Sequence, residues 1–518
     1  MRFRAAIFAI ALAAAATPAV AAGPSKFDAA LQTSPAGTVR VLITTTTGAS
    51  AAVAARLRQR GKHVAAEYRL LNLLAADLTA ADFDALSADS TVLGVSIDAA
   101  VVSGATTKSA PAAVRQMAAS ASTLTGRGVG VAVIDSGIQP DGDFSKVTFY
   151  DFTSAAPTAP YDDYGHGTHV AGLIASKGAL SQNAYTGVAP GVRLIAMKVL
   201  DANGAGQTSA VIAAIEFATL NKNALGVDII NLSLGHPILE PAATDPLVQA
   251  VEAAVRAGIV VVVSAGNVGR NLVTGAPGYA GILSPGNAPS AITVGAVDTA
   301  GTTTRTDDTV AAYSSRGPTW YDGYAKPDIV APGQNLVSDA ALGSTLFTEH
   351  PERQVAGNGG LPRFLRLSGT SMSAAVASGV AALLIEQARN GGLAPSPDTI
   401  KAVIEYSALD VAGADPLTQG HGAINLPGAV ALMDAVVATG LSPVDAASTI
   451  PSPTTTIAGE TWTWNQTVVW GNTVVWGNTV VWGNTVVWGN TVVWGSTVVW
   501  GNTVVWGNTV VWGNVDLF

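Results

Sequence analysis

The sequence predicts a doubly wound, mostly parallel α/β domain, preceded by a small α+β domain and followed by a β-prone repeat tail. Three patterns carry that reading. From Gly126 onward, apolar runs alternate with helical stretches and Gly-rich loops. Between Val39 and Val102 the order is β-α-β-β-α-β. In the tail, residues 461–518, a hexapeptide, Thr-Val-Val-Trp-Gly-Asn, recurs almost without change from Thr467.

The chain has 518 residues and is 48% hydrophobic, enough for one large core or several smaller ones. Charged residues make up 12% and the net charge is −9, so no basic patch invites nucleic acid. There is no cysteine, which excludes disulfide staples and a thiol nucleophile. At the N-terminus Arg2 and Arg4 precede the short apolar run from Ala5 to Ala16, and Thr17-Pro18-Ala19-Val20-Ala21-Ala22 offers small residues for cleavage. Residues 1–22 read as a secretory signal peptide, too short for a good membrane span. The expected location is therefore secreted, with retention at the cell surface open.

The leading domain, residues 23–105, is built from a strand at Val39–Thr45, a helix at Ala49–Arg60 closed by Gly61, two short strands around Asn72, a helix at Ala80–Ala88 and a strand at Val92–Val102. That is the ferredoxin-like order. Residues 106–125, rich in Ala, Ser and Thr, suit an exposed, cleavable linker. In the main domain, 126–440, buried strands are expected at Val129–Ile134, Val192–Val199, Val227–Leu232 and Ile259–Ser264. Helices are expected at Thr168–Ser176, Thr208–Leu220 and Pro246–Ala257. Others should start at Ser373 and run over Ser396–Ser407 and Leu426–Val437. Sites in such sheets sit at the carboxyl ends of the strands. Residues 441–460, rich in Pro, Ser and Thr, read as a linker to the tail, 461–518.

In the tail, Trp470 to Trp512 recur every six residues, and only Ser496 replaces Asn. Thr-Val-Val-Trp favours strands and Gly-Asn favours two-residue turns. A meander and a stacked solenoid both fit the pattern. Uncharged strands of this kind pair readily with other chains, which suggests surface binding or self-association.

Three segments place polar residues where chemistry can use them. Asp135 ends an apolar run in Val133-Ile134-Asp135-Ser136-Gly137-Ile138. His166 lies at a Gly-flanked turn into a helix, in Tyr164-Gly165-His166-Gly167-Thr168-His169-Val170-Ala171-Gly172. Ser371 stands where Ser368-Gly369-Thr370-Ser371-Met372-Ser373 becomes a helix, whose N-terminal amides and dipole favour negative charge beside its oxygen. Singly these read as a strand-end cap, a loop residue and a helix cap. In the order Asp, His, Ser they match one known arrangement of a Ser-His-Asp triad.

On these motifs the chain resembles the subtilisin-like serine proteases, or subtilases, over about residues 126–440. The resemblance implies that Asp135 orients His166, that His166 deprotonates Ser371, and that Ser371 forms an acyl-enzyme with a polypeptide substrate. It implies a self-processing zymogen whose leading domain is a propeptide, acting as chaperone and inhibitor. Asn267, in Ser264-Ala265-Gly266-Asn267, corresponds to the oxyanion donor. Ser233-Leu234-Gly235 and Gly204-Ala205-Gly206 resemble the two strands that pair with substrate backbone. Leu234, Gly235, Ala265 and Gly266 suggest an apolar pocket for the residue before the scissile bond. His169, one helical turn on from His166, reads as a packing or hydrogen-bonding residue.

Two positions depart from the family pattern. Ala375, then Val376, stands where relatives usually carry Pro. Many relatives bind calcium in a loop after the His-bearing helix; here Lys177–Thr186 offers Gln182 and Asn183 but no carboxylate, so no calcium site is readable there. The alternative reading is a catalytically silent adhesion or assembly protein working through its Trp repeat. The presence of Asp135, His166, Ser371 and Asn267 argues against it. Acid-acting Ser-Glu-Asp relatives lack the His, so Gly165-His166-Gly167 argues against that class too.

Overall fold

The computed structural model describes residues 26–33, 37–103, 123–144, 146–154, 159–271 and 274–466, with short strand pieces beyond. The signal-peptide reading and most of the 106–125 linker lie outside the described residues.

Runs such as Val260-Val261-Val262-Val263 are apolar on both faces, and such a strand can only sit inside a sheet covered on both sides. The central sheet does this. Its parallel order is Ile292–Asp298, Val260–Ser264, Ile229–Leu232, Gly130–Asp135, Arg193–Lys198, Val147–Asp151. Ile329–Pro332 also pairs parallel with Ile292–Asp298, and Thr309–Val310 adds one antiparallel edge. Alternation sends Val131 and Val133 into the core on one face, and Ala132 and Ile134 into the core on the other. The first face is filled by the helix Thr370–Asn390 and its neighbours His166–Ala175 and Leu426–Thr439. The second is covered by Thr208–Leu220 and Pro246–Arg256. Thr370–Asn390 is long and apolar enough to cross a membrane by composition, but 94% of its apolar window is buried inside the protein. The expected strands and helices of this domain are present within a few residues. Val147–Asp151, Ile292–Asp298 and Ile329–Pro332 were not expected.

The leading domain has the ferredoxin-like strand order: His63–Tyr68, Leu73–Thr79, Thr38–Thr45, Val92–Ile97. Val41, Ile43, Leu74 and Ala76 pack under its own helices. Leu42, Leu73 and Ala75 face the opposite way, into the core that covers Thr208–Leu220. The expected single strand Val92–Val102 is two strands. Val92–Ile97 completes the leading sheet, whereas Ala100–Ser103 leaves it and pairs with the main domain.

Residues 441–460 are not a linker. Ser442 caps a helix at Pro443–Ala447, whose Ala446 and Ala447 are buried in the main core. A hairpin follows, Thr454–Ile457 with Glu460–Thr463, and Trp464 is buried with its indole N–H donated to Thr455 Oγ1 at 2.8 Å. Ser, Pro and Thr serve here as cap, first helical residue and strand formers. In the repeat, Val468–Val469 pairs parallel with Val480–Val481, and Val492–Trp494 pairs with both Val474–Trp476 and Val510–Trp512. Among the described residues, neighbouring repeats do not pair as a simple meander would require.

Candidate active site

The sheet register gathers the site. Leu232 lies opposite Ile134 on one side and Val263 on the other. Their successors Ser233, Asp135 and Ser264 therefore leave the sheet side by side at its carboxyl edge. The chain order reverses here: Arg193–Lys198 and Val147–Asp151 lie on one side of Gly130–Asp135, and Ile229–Leu232 and Val260–Ser264 on the other.

Asp135 is fully buried. Its Oδ1 accepts the Ser136 amide at 2.7 Å and His166 Nδ1 at 2.8 Å, and its Oδ2 lies 3.0 Å from the same nitrogen. A carboxylate at Nδ1 fixes the proton there and leaves the Nε2 lone pair available as a base. His166 opens the helix His166–Ala175. The turn before it needs Gly165, at φ 99°, and is held by Asp162, which accepts the amides of Gly165 and Thr168 and the Thr168 hydroxyl at 2.7–2.8 Å. Gly167 is required for a different reason. A Cβ there would lie 2.1 Å from the Gly137 carbonyl oxygen, so only glycine lets the His turn close on the Asp turn.

Ser371 lies in the first turn of Thr370–Asn390, fully buried. Its hydroxyl donates to the Ser233 carbonyl at 3.1 Å, and the Ser233 hydroxyl donates back to the Ser371 carbonyl at 3.1 Å. Asn231 extends this tie, donating to Ser233 Oγ and accepting from Ser378 Oγ, each at 2.9 Å. Asn267 Oδ1 accepts the amide and hydroxyl of Thr370 at 3.0 and 3.1 Å, while Thr370 Oγ1 accepts the Gly266 amide. With its oxygen so anchored, Asn267 presents Nδ2 as a buried donor without an acceptor. His166 Nε2 is likewise buried without a partner.

His169 is fully buried and donates from Nε2 to the Leu336 and Leu365 carbonyls at 3.1 Å each. Burial, with the His166 charge acting the same way, pushes it down to about 3. It is therefore a neutral cross-brace.

Ala205–Gln207 and Leu234–Pro237 are both strands, and both are already paired with one segment. Ala100–Ser103 lies between Ala205–Gln207 and Leu234–Pro237, antiparallel to both, in a sheet completed by Leu283–Ser284. Val102 faces Ala205 and Gly235, Ser103 faces Leu234, and the Ser103 amide donates to the Gly204 carbonyl at 3.2 Å. Val101 is fully buried whereas Val102 is 52% exposed. Gly204 lets the Tyr164 ring lie against this edge, since a Cβ there would meet the ring at 2.4 Å. Ser233, whose carbonyl holds Ser371, immediately precedes Leu234.

In the loop after the His helix, Asp143 Oδ1 accepts the Leu180 amide at 3.2 Å and also bonds the Ala179 amide, with the carboxyls of Asp141 and Asp339 beside it. Among the described residues no group of His, Asp and Glu is arranged to hold a metal ion.

The sequence reading missed Asp162 and Thr370. Both had a signal: an Asp four residues before His166, and a hydroxyl directly before Ser371.

Comparison with known proteins gives this geometry its context. Residues 126–422 match the model of the subtilase family. The chain is 41% identical over 315 residues to serine protease AprX of Bacillus subtilis, covering 60% of this chain and 67% of that protein. It is 32% identical over 357 residues to subtilisin E of the same species, covering 68% and 80%. In fold it is similar to fervidolysin from Fervidobacterium pennivorans, a keratinolytic enzyme related to subtilisin, with a TM-score of 0.59, 22% identity and coverage of 76% of this chain and 61% of that one. The chain belongs to the subtilase family and is a serine endopeptidase.

Proposed function

We propose that Ser371 is the nucleophile, His166 its base and later the acid, Asp135 the group that orients His166, and Asn267 the oxyanion donor. The Asp135–His166 pair leaves a lone pair at Nε2, and Asn267 Nδ2 supplies a buried N–H with nothing to bond. Attack by Ser371 Oγ on a peptide carbonyl puts negative charge on its oxygen, which Asn267 Nδ2 and the Ser371 amide at the helix N-terminus stabilise. The proton taken by His166 passes to the leaving amine, and water then hydrolyses the acyl-enzyme. Ser233, Leu234 and Gly235 on one side, and Gly204, Ala205 and Gly206 on the other, hold the substrate backbone as an added strand.

The protein is made as a secreted zymogen. One observation carries this: Ala100–Ser103 pairs between the two strands proposed here to hold substrate, and Ser103 lies opposite Leu234, next to the Ser233 carbonyl that accepts from Ser371. The leading domain is thus the enzyme's first substrate and then its bound inhibitor, cut within a residue or two past Ser103. Residues 1–22 direct export, and the Trp-Gly-Asn tail holds the mature enzyme to a surface or to other copies. Intact-mass analysis tests the zymogen reading. Wild type should lose the segment ending just past Ser103, and Ser371→Ala should stay joined. Equal, uncut masses would refute self-processing.

A further inference from the structure

The seam between the leading and main domains is apolar at its centre and carboxylate-rich at its rim. Asp28 and Asp98 of the leading domain are 5% and 7% exposed. Asp98 accepts the amide and hydroxyl of Ser209 at 2.7 Å each, at the start of Thr208–Leu220. Glu240 of the main domain reaches the other way and accepts the Ser96 hydroxyl of the leading domain. A small cleft lined by Asp28, Leu42, Ser96, Ile97, His236 and Asp245 adjoins it. The groups that face Glu240 are the hydroxyls of Ser96 and Thr244, Asp245 at the start of Pro246–Arg256, and Asp28; Tyr321 borders both acids, and His236 faces Asp28. The charged neighbours of Glu240 in that set are acids.

We propose that Glu240 is a pH latch on this seam: its protonated carboxyl holds the leading domain docked, and its ionisation loosens the domain as pH rises. This rests on the leading domain being a detachable inhibitor. Burial, reinforced by Asp245 and Asp28 against the pull of the Ser96 and Thr244 hydroxyls, pushes docked Glu240 up to about 7. When the seam opens, Glu240 meets water and returns to an ordinary carboxylate value, about 4.3. Docking therefore takes up a proton. The stabilisation is complete below the open-state value and is lost as pH rises through the docked one, so docking weakens about tenfold between pH 6 and pH 8. The enzyme stays inhibited in acid and is released toward neutral and alkaline pH.

Hydrogen exchange on the full chain tests this without any cleavage. Ser371→Ala is compared with Ser371→Ala/Glu240→Gln at pH 6 and pH 8, after correction for intrinsic exchange. Amides of Ser209 and Ala100–Ser103 report the seam, and those of Val260–Ser264 report the fold. In the single variant the seam should open about tenfold more at pH 8. In the double variant, where Gln cannot ionise, the seam should stay closed at both pH values while the central strand remains protected. The same pH response in both chains, or protection that grows with pH, overturns the latch. If Val260–Ser264 loses protection in the Gln variant, Ser96→Ala replaces it. That variant, which removes the seam bond, should then open more at pH 6, and no change there also overturns the latch. An uncut wild-type chain in the mass experiment would instead fail the zymogen reading and leave the exchange result legible.

Discussion

The helix His166–Ala175 has buried carboxylates near both ends, and they are treated in opposite ways. At its N-terminal end, Asp162 and Asp135 sit close to unpaired amides and the positive end of the helix dipole. Asp162 accepts three hydrogen bonds, and Asp135 accepts the Ser136 amide and His166 Nδ1. Farther along, Asp339 lies against Gly172, where a Cβ would stand 2.4 Å from its Oδ2. It is fully buried, beside the Asp143 carboxyl and the Ser176 hydroxyl. Burial first, then the charges of Asp141 and Asp143, push it well above the usual carboxylate range. Equal burial thus yields a carboxyl oriented against His166 at one end and a neutral acid at the other, and burial raises Asp162 as well, against the pull of its three donors. Donors offset part of the cost of burying a carboxylate, and neighbouring carboxylates add to it.

Substitutions at each end sharpen the contrast, and the largest effect belongs to the donor-rich end. Asp135→Asn should lower kcat by about ten-thousandfold with little change in KM, because an amide can no longer fix the proton on Nδ1. Steady-state kinetics on a chromogenic peptide measure this, and a loss confined to KM would contradict the assignment. Next comes the oxyanion side. Asn267→Ala should cost about a hundredfold in kcat, and Thr370→Val, which frees the Asn267 amide to turn, a smaller part of that loss. If Thr370→Val lost more than Asn267→Ala, the hydroxyl would have a role beyond anchoring.

The smallest effect is expected at Asp339, and its sign is opposite. A folded-state value above the unfolded one contributes stability at low pH that is lost as pH rises. Asp339→Asn should therefore stabilise the protein at pH 9, by about 1–3 kcal/mol for relief of a buried acid held among other carboxyls, and do little at pH 4. Chemical denaturation of the Ser371→Ala background at both pH values would show it. Destabilisation at pH 9 would mean that the Asp339 charge is compensated after all.

The same contrast explains what the sequence could reveal. Val260–Ser264 and Gly130–Asp135 were legible because every residue is buried and the runs say so. Asp135, His166 and Ser371 were legible because each sits between small residues at a strand or helix end, in a specific order. Ile292–Asp298 and Ile329–Pro332 were missed because Gly295 and Pro332 interrupt their patterns. The break at Asp98–Ala99 was invisible because Val92–Val102 is uniformly strand-like; pairing with Gly206 and Gly235, far away in sequence, divides it. Residues 441–460 look like a linker in composition, and only the burial of Ala446, Ala447 and Trp464 shows otherwise. Asp339 gave no signal, since its surroundings are assembled from distant segments.

The most direct measurement is covalent labelling of the mature enzyme with a serine-directed organophosphorus fluoride, read by intact mass and peptide mapping. One adduct should form, on Ser371, and Ser371→Ala and His166→Ala should form none at the same exposure. A label on another serine, or undiminished labelling of Ser371 in His166→Ala, would contradict the claim that His166 activates Ser371.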